Sequence, residues 1–572
     1  MLKHIEQRGK NMDILQLNIE RILFSKQFRR LEDKTQLFPT IDGDHFRNRL
    51  THTLEVLAIG KRIAKEFNEI IKTHNKTRNH KEKFSYVNED LIEAISLCHD
   101  IGHTPFGHIG ERTINEIVSH KDTLGGLISQ TNNYNYQFFK HNIYSGYVLI
   151  NDFYDIDSRV IDGAIKHTKI YVDINRDNNL RNIVKKGSEL DAKKFYSQIV
   201  DPYTIEGQIV SISDEIAQRC ADFDDTFRSR YVNNIKTQIG IDDLNENLNI
   251  ENTETKKVGL TVYEKLVISI KEKLIYGLKK SFDSIISRKY YDFSNLDSNI
   301  VNYYGEELIS YPYSTEEFKS QKIKFSMHSN KENDLYEMLR TKEKAIFQSL
   351  QKGESPIYVD SLKPYFNKQE FDAFVNRFEI ISTKHLDDKL TELSSVVTRE
   401  YRIRSFDSGS KHIIRQIFKA LYNDISQVEN NQIIKMISDY ELFLNKDNIK
   451  KITNEIYERI QSDTNFEKKI YDVLKNKIDS SKDIDKELKK YLSEFNKNFY
   501  NSVSLLKKDN EEKIINLNEL FVFINFTKTI DEFCVGSMSQ KLHNILLKHI
   551  AYYIANMTDG YARKIYHSLY GT

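Results

Sequence analysis

The sequence of 572 residues has no tryptophan, only 3 cysteines and only 6 prolines. Three cysteines are too few for a disulfide framework or a cysteine-rich zinc site, which favours a reducing compartment. We expect Cys98, Cys220 and Cys534 to pack within helices. The chain also lacks an excess of charge of either sign, because 84 basic and 83 acidic residues leave a formal net charge of +1. That balance excludes the overall basic surface of a dedicated nucleic-acid binder, although a local basic patch remains open.

Long hydrophobic runs are also absent. The first residues lack the apolar core of a signal peptide, and no uncharged stretch is long enough to cross a bilayer. We therefore expect a cytoplasmic protein that does not contact a membrane. The chain does have 39% hydrophobic residues, including 33 Tyr and 32 Phe, so a sizeable core can form. Its length predicts two domains or one domain with large insertions.

The spacing of apolar residues is mostly three to four, which together with the scarcity of proline predicts an all-α fold. Residues 72–88 are polar and predict a loop, and residues 242–257 predict an exposed linker. We expect helix again from about residue 384, with interruptions at 405–411 and 479–485. The apolar stripes that carry the helical prediction are Val56, Ile59, Ile63 and Phe67; Leu91, Ile92, Ile95 and Cys98; and Ile205, Ile209, Ile212 and Ile216.

The stretch CHDIGHTPFGHIGE, residues 98–111, combines three histidines with an aspartate, a glutamate and three glycines. His99 and Asp100 would point about 100° apart on a regular helix, so joint ligation requires the helix to end there. Pro105 disfavours helix at Thr104, and the glycines permit sharp turns. The stretch therefore predicts a helix that runs into a structured loop. Histidine and carboxylate together suit a divalent first-row metal ion.

In its wider context the sequence resembles the deoxyguanosine triphosphate triphosphohydrolases among the HD-domain metallophosphohydrolases. The pattern H…HD…D is formed by His52, His99 with Asp100, and Asp214. The resemblance is close over about residues 15–235 and looser over 400–572. The stretches that carry it are 24–39, 49–56, 99–111, 206–228 and the C-terminal 554–566.

The resemblance implies an all-α, HD-domain helical metallophosphohydrolase fold with a helical C-terminal extension. Residues 1–235 would form the HD-domain catalytic core. Residues 236–400 would be a variable, mostly helical insertion, and residues 401–572 would complete the fold.

The resemblance also implies a ligand set and catalytic groups. His52, His99, Asp100 and Asp214 would bind one divalent ion per site, drawn from Mn, Mg, Fe, Co, Ni or Zn, with Mn or Mg favoured. His108 and Glu111 match the family's catalytic histidine and its carboxylate partner. His103 and His141 match further histidines around the scissile phosphate, with roles divided between catalysis and structure.

Substrate contacts follow in the same way. Gln36 and Arg49 match contacts to sugar and phosphate, and Asp222 matches the aspartate that binds the 3′-hydroxyl. Gln218 stands where the family usually has a tyrosine packed beneath the sugar at its 2′ carbon, so discrimination against ribonucleotides is open. By charge alone, Lys166 and Lys169 are candidate triphosphate contacts. Asp224 and Asp225 are expected at a solvated helix end.

The implied activity is metal-dependent hydrolysis of dGTP, or of several dNTPs, to deoxynucleoside and inorganic triphosphate. One alternative is an HD phosphohydrolase for another substrate: a ribonucleotide, a monophosphate or a cyclic nucleotide. A second alternative is a regulatory protein that uses the HD site to sense a nucleotide. The resemblance further implies a homo-oligomer, with an allosteric nucleotide or single-stranded DNA as a candidate activator.

Overall fold

A computed structural model describes residues 13–37, 46–77, 86–130, 139–168, 202, 204–228, 268, 271, 275, 279, 401–474, 486–494, 517–533 and 538–571. These residues form helices joined by turns, so the predicted all-α fold is confirmed. Strand-like pairing in the described residues is limited to one isolated antiparallel bridge between Thr35 and Asn48. The predicted linker at 242–257 lies outside the described residues, as does the predicted insertion at 236–400 apart from four single positions.

The helices are numbered in chain order. They are α1 (Ile14–Leu23), α2 (Lys26–Arg29), α3 (Arg49–Asn75), α4 (Glu89–Cys98), α5 (Gly107–Val118), α6 (His141–Asp152), α7 (Ser158–Lys166), α8 (Ile205–Arg228), α9 (Tyr401–Asn423), α10 (Asn430–Phe443), α11 (Lys446–Ser462), α12 (Thr464–Leu474), α13 (Leu517–Phe533), α14 (Met538–Ala555) and α15 (Asp559–Tyr570).

Helix α3 begins with a capping box. The Asn48 side chain accepts from Thr51 N at 2.9 Å, and Thr51 Oγ1 accepts from Asn48 N at 3.1 Å, so two amide groups at the helix start are satisfied. The predicted stripe of Val56, Ile59, Ile63 and Phe67 is buried. The helix continues to Asn75, several residues into the predicted loop.

Helices α3, α4 and α8 pack against one another, and α7 packs on α4 and α8. The stripes predicted for α4 and α8 are buried at every position, including Cys98. Burial of each large aliphatic side chain contributes about 1.5–3 kcal/mol. This helical layer fixes the ends of α3, α4 and α7 at one place along α8.

The C-terminal helices form a second layer around α14, which contacts α9, α10, α11 and α13. The predicted interruption at 405–411 is wrong, because α9 runs through it. Phe406 lies 6.0 Å from Phe106 between ring centroids, and Ser410 is buried. Packing against α5 and α15 therefore overrides the low helix propensity of the Ser, Asp and Gly residues in this stretch. The predicted break at 479–485 and Cys534 lie outside the described residues.

The two layers meet through buried polar contacts. His543 Nδ1 lies 3.1 Å from Asp531 Oδ1, and His120 Nε2 lies 2.6 Å from Asn544 Oδ1. Ser129 N donates to Asp531 Oδ2 at 2.9 Å. His120 and Ser129 thus join the loop after α5 to α14 and α13. Among the described helices, none is both long and apolar enough to span a membrane.

Candidate metal centre

The structure brings together the four predicted ligands. His52 lies in the first turn of α3, His99 and Asp100 lie at the end of α4, and Asp214 lies on α8. His52 Nε2 is 2.8 Å from Asp214 Oδ1. His99 Nε2 is 3.7 Å from Asp100 Oδ2 and 3.8 Å from Asp214 Oδ1. Donor groups from three helices therefore adjoin one another, and those of His52, His99 and Asp100 lie within 4.8 Å of one another.

The donor atoms fit a divalent ion. His99 Nδ1 is 2.7 Å from the Ser96 carbonyl oxygen, to which it donates. That hydrogen bond leaves Nε2 as the acceptor nitrogen of a neutral ring. The Nε2 atom is buried and has no hydrogen-bond partner among the described residues. An imidazole fixed by a backbone carbonyl on its far side is the usual arrangement of a metal-binding histidine.

The carboxylates of the cluster are held in the charged form. Burial alone would raise the pKa of Asp100, but the charges of Arg49 and of the surrounding histidines outweigh burial and hold the pKa well below its ordinary value. Arg49 Nη1 donates to Asp100 Oδ2 at 2.7 Å. For Asp214, burial is likewise outweighed by the hydrogen bond and charge of His52, and the pKa is lowered. Both groups therefore offer negative charge to a cation.

Glu111, which the resemblance implies as the carboxylate partner of His108, forms a buried pair with His141. Glu111 Oε2 is hydrogen-bonded to His141 Nδ1, and Glu111 Oε1 accepts from Lys140 Nζ at 2.9 Å. Burial raises the pKa of Glu111, but the charge and hydrogen bond of His141 outweigh it and lower the pKa well below its usual value. Glu111 thus fixes the ring of His141 with Nε2 directed toward Asp100, at 3.6 Å from Oδ1.

His103 and His108 lie beside this pair. The His103 ring stacks on that of His141 with centroids 4.4 Å apart, and neither of its nitrogens has a hydrogen-bond partner among the described residues. Burial, followed by the charge of Arg49, lowers the pKa of His103 well below its ordinary value, so the ring is neutral. His108 is exposed, and one of its ring nitrogens lies within 4.8 Å of donor atoms of His103 and Glu111.

His167 is a site residue that the sequence interpretation missed. It follows α7, and its Nδ1 donates to the Ala164 carbonyl oxygen at 2.8 Å. Its Nε2 enters the cluster 3.3 Å from His141 Nε2 and 3.9 Å from Asp100 Oδ1. In the stretch GAIKHTK the charge pattern points to the lysines, whereas the imidazole is the group that reaches the centre.

The predicted sugar and phosphate contacts Gln36 and Arg49 are both buried beside the cluster. Arg49 Nη2 and Gln36 Oε1 have no hydrogen-bond partner in the part of the chain that the structure describes. A Cβ atom at Gly107 would lie 3.3 Å from Gln36 O and 3.8 Å from Arg49 Nη2. Glycine at this position, with φ of 60°, therefore lets α5 begin close to both groups.

Asp214, Gln218 and Asp222 follow one another at intervals of four residues on α8. Residues spaced in this way share one helix face. Asp214 is partly exposed, Gln218 is exposed and Asp222 is buried. The predicted sugar contacts thus extend from the metal ligand along a single row.

The expectation of a solvated end at Asp224 and Asp225 is wrong. Both carboxylates are buried, and Arg47 pairs with each of them, at 3.0 Å for Asp224 Oδ2. Arg47 Nε also donates to Glu55 at 2.9 Å. Arg47, just before α3, therefore neutralises the end of α8. The sequence does not predict this contact, because Arg47 lies far along the chain from Asp224 and Asp225.

Lys166, one of the two candidate triphosphate contacts, lies inside the helical layer. The side chain of Lys166 is completely buried and forms an ion pair of 2.6 Å with Asp162, four residues earlier on α7. The ammonium group therefore neutralises Asp162 inside the helical layer. Lys169 lies outside the described residues.

Comparison with known proteins agrees with this geometry. Residues 49–218, which include all four predicted ligands, match the family model described as HD domain. A protein of Geobacter sulfurreducens named deoxyguanosinetriphosphate triphosphohydrolase-like protein is 33% identical over 229 residues, which are 40% of this chain and 49% of the relative.

Two further relatives carry the same name. The protein of Clostridium tetani is 34% identical over 221 residues, 38% of this chain and 47% of the relative. The protein of Caldanaerobacter subterraneus subsp. tengcongensis is 35% identical over 211 residues, 37% of this chain and 45% of the relative. The chain spans about half the length of the curated relatives it matches.

Proposed function

Because residues 49–218 match the HD domain family model, we propose that the protein is a metal-dependent triphosphohydrolase that converts dGTP, or several dNTPs, to deoxynucleoside and inorganic triphosphate. The relatives' names support this substrate class. In this reaction water attacks the α-phosphorus and the bond to the 5′ oxygen breaks. A proton must then reach that oxygen.

The observation that carries the proposal is a set of buried polar atoms without protein partners around Asp100. They are His99 Nε2, both ring nitrogens of His103, Arg49 Nη2 and Gln36 Oε1. An unpaired buried polar atom costs about 1–3 kcal/mol. Such a concentration of unpaired groups fits a ligand that satisfies them together, and a metal ion with a polyanionic phosphate chain does so.

His52, His99, Asp100 and Asp214 would hold the divalent ion. When bound, such an ion polarises a phosphoryl oxygen and lowers the pKa of coordinated water. Arg49 brings a guanidinium group whose Nη2 is available to a phosphate oxygen. Neutral His103 donates one hydrogen bond to a phosphate oxygen and accepts one from water.

His108 is the proposed proton donor for the 5′ oxygen. Its exposed ring exchanges protons with solvent, and it lies beside His103 with ring centroids 5.4 Å apart. Desolvation, and then the charge of Arg49, lowers the pKa of His108 to about 4 against the raising charge of Glu111, so protonation of the ring for this role relies on the negative charge of the bound triphosphate. The sugar would lie along α8 between Asp214 and Asp222, over Gln218.

The test is product analysis with the full chain, each dNTP and GTP, in Mg²⁺ and separately in Mn²⁺. We expect deoxynucleoside and intact triphosphate, with His108→Gln reducing turnover at least 100-fold while nucleotide binding is retained. Stepwise release of phosphate would contradict attack at the α-phosphorus. GTP turnover equal to that of dGTP would support the ribonucleotide alternative that Gln218 leaves open. Binding without turnover in any metal would support the nucleotide sensor.

Oligomerisation and activation belong to the same proposal. A cavity of about 610 Å³ apart from the metal cluster is lined in part by Arg21, Lys26, Arg30, Phe24 and Tyr154. Cationic and aromatic side chains together suit a nucleotide or single-stranded DNA, so this is the proposed position of an activator. Light scattering would give the oligomeric state, and dGTP turnover with and without an added second dNTP or oligonucleotide would test activation.

A further inference from the structure

Lys34 is a buried lysine whose ammonium group lies behind the candidate metal centre. It donates to two backbone carbonyl oxygens, that of His103 and, at 3.0 Å, that of Ala555. His103 lies in the segment between α4 and α5, and Ala555 is the last residue of α14. Lys34 Nζ therefore joins a segment of the centre to the C-terminal layer.

The His103 ring depends on its backbone for its position. The ring is buried, and neither of its nitrogens has a hydrogen-bond partner among the described residues. The backbone is held on two sides, because His103 N donates to the Asp100 carbonyl at 3.0 Å and the His103 carbonyl accepts from Lys34. Loss of the ammonium group would therefore remove one of the two anchors that place this ring.

The end of α14 suits a cation at this point. Carbonyl groups in the last turn of a helix lack partners within the helix, and this end of a helix carries a partial negative charge. A hydrogen bond from a charged donor is about twice as strong as one from a neutral donor. The ammonium group thus binds the two carbonyls more strongly than an amide in its place would.

Charges around Lys34 link this contact to the ligand of the centre. Burial lowers the pKa of Lys34 most, the charge of Arg30 adds to this effect, and the charge of Asp559 opposes it. The smaller effects of Arg49 and Asp100 act in opposite directions. A phosphate chain bound beside His103 would bring further negative charge, which favours the ammonium form.

We propose that Lys34 is a positioning residue, whose ammonium group holds the His103 carbonyl against the end of α14 and so fixes the His103 ring for a phosphate oxygen. This role rests on the proposed function, in which His103 donates to that oxygen. It goes beyond the proposed function because it assigns the placement of His103 to a residue outside the metal cluster.

The test is a double-mutant cycle in the full chain. Lys34→Met removes the ammonium group but keeps an unbranched side chain, and His103→Ala removes the ring. The kcat for dGTP and the Kd for inorganic triphosphate, by calorimetry, are measured for the wild type, both single variants and the double variant. We expect Lys34→Met to lower kcat about 10–100-fold and to weaken triphosphate binding about 10-fold. In the His103→Ala background the same change should alter either value by less than about 3-fold.

Lys548→Met is the matched control. Lys548 is a buried lysine on α14 itself, and its ammonium group pairs with Asp439 at 2.6 Å. We expect this variant to lose stability in urea unfolding while kcat and the triphosphate Kd change less than about 2-fold. If Lys34→Met does not fold, Lys34→Gln replaces it in the cycle, because the amide keeps one weaker donor to the two carbonyls.

A lysine with a merely structural role would lower kcat equally with and without the His103 ring, and that result would refute the positioning role while leaving the proposed function intact. Unchanged kcat and triphosphate binding in Lys34→Met would refute it as well. A wild type that bound triphosphate without turning over any dNTP would overturn the proposed function, and the binding cycle alone would then decide the role of Lys34. Neither turnover nor triphosphate binding in the wild type would overturn both.

Discussion

A single carboxylate from the C-terminal helix α15 holds two segments of the centre, and its replacement should impair both stability and turnover. Asp559 Oδ1 accepts from Phe106 N at 2.7 Å, and Asp559 Oδ2 accepts from Thr35 Oγ1 at 2.6 Å and Thr35 N at 3.2 Å. Thr35 in turn accepts from Arg49 Nε at 3.3 Å. Phe106 has a φ of 61°, an unfavourable conformation for a side chain of this size, immediately before α5 with His108.

The effect of Asp559→Asn follows from these three hydrogen bonds. In the variant, the amide oxygen can still accept a hydrogen bond. The NH₂ group replaces the second carboxylate oxygen, so it faces donors that the carboxylate oxygen accepted from. Hydrogen bonds to a charged group contribute about 1.5–3 kcal/mol each, and a buried unpaired amide costs about 1–3 kcal/mol. We expect a loss of about 2–4 kcal/mol in the free energy of unfolding. Displacement of Arg49 and His108 by about 1 Å would lower kcat about 100-fold.

Urea unfolding followed by circular dichroism and steady-state dGTP turnover measure the two effects. Asp33→Asn is the control, because Asp33 accepts from Gly560 N at 3.0 Å at the same junction but is exposed. We expect less than about 0.5 kcal/mol from the control. Equal unfolding energies for the two variants, or unchanged kcat in Asp559→Asn, would refute the argument that this carboxylate positions the centre.

Three further outcomes are expected from urea unfolding of variants and of metal-free protein. Gly110→Ala should lower the free energy of unfolding by about 1–3 kcal/mol, because its Cβ would lie 2.0 Å from a carbonyl oxygen. Gly409→Ala, with open space around it, should raise the free energy of unfolding by up to about 1 kcal/mol. The reverse order would contradict the packing of α5. Burial raises the pKa of Asp225 from 3.8 to about 7 against the opposing charge of Arg47. The folded state therefore binds this proton more tightly than the unfolded state does, so stability falls as the pH rises between these two pKa values. Asp225→Asn should remove about 3 kcal/mol of the decrease in the free energy of unfolding between about pH 5 and pH 8. Free metal at about 100 times its Kd should stabilise the protein by about 2.7 kcal/mol, and a chelator should abolish this gain in the wild type while leaving His99→Ala unaffected.

The parts of the fold that could be predicted are those with a local signal. The stripes of α3, α4 and α8 are visible because an apolar residue every three to four positions marks one helix face. The four predicted ligands His52, His99, Asp100 and Asp214 depend on a pattern shared with a resembling family, since nothing local relates Asp214 to the others. The helix through 405–411 was missed because tertiary packing overrode propensity.

Long-range polar partners were the groups that could not be predicted. Arg47 meets Asp225 across 178 positions, and Asp559 meets Thr35 across 524. Lys34 shows the same limitation, because its buried ammonium donates to the Ala555 carbonyl at 3.0 Å and also contacts the His103 carbonyl. Burial, and then the charge of Arg30, lowers the pKa of Lys34 to about 7. A charged residue in a sequence is expected at the surface, and only the assembled fold reveals such exceptions.

His99 and His167 share a local arrangement that the sequence does contain. Each residue follows an apolar helix at its C-terminal end and donates Nδ1–H to the carbonyl three residues earlier, Ser96 or Ala164. The last carbonyls of a helix have no partner within the helix, so a histidine there satisfies one of them and directs Nε2 beyond the helix end. Because α4 and α7 both end beside α8, the two Nε2 atoms enter the same centre. The same geometry explains why the preceding Lys166 points back into the helical layer: a residue one position earlier is rotated by about 100°.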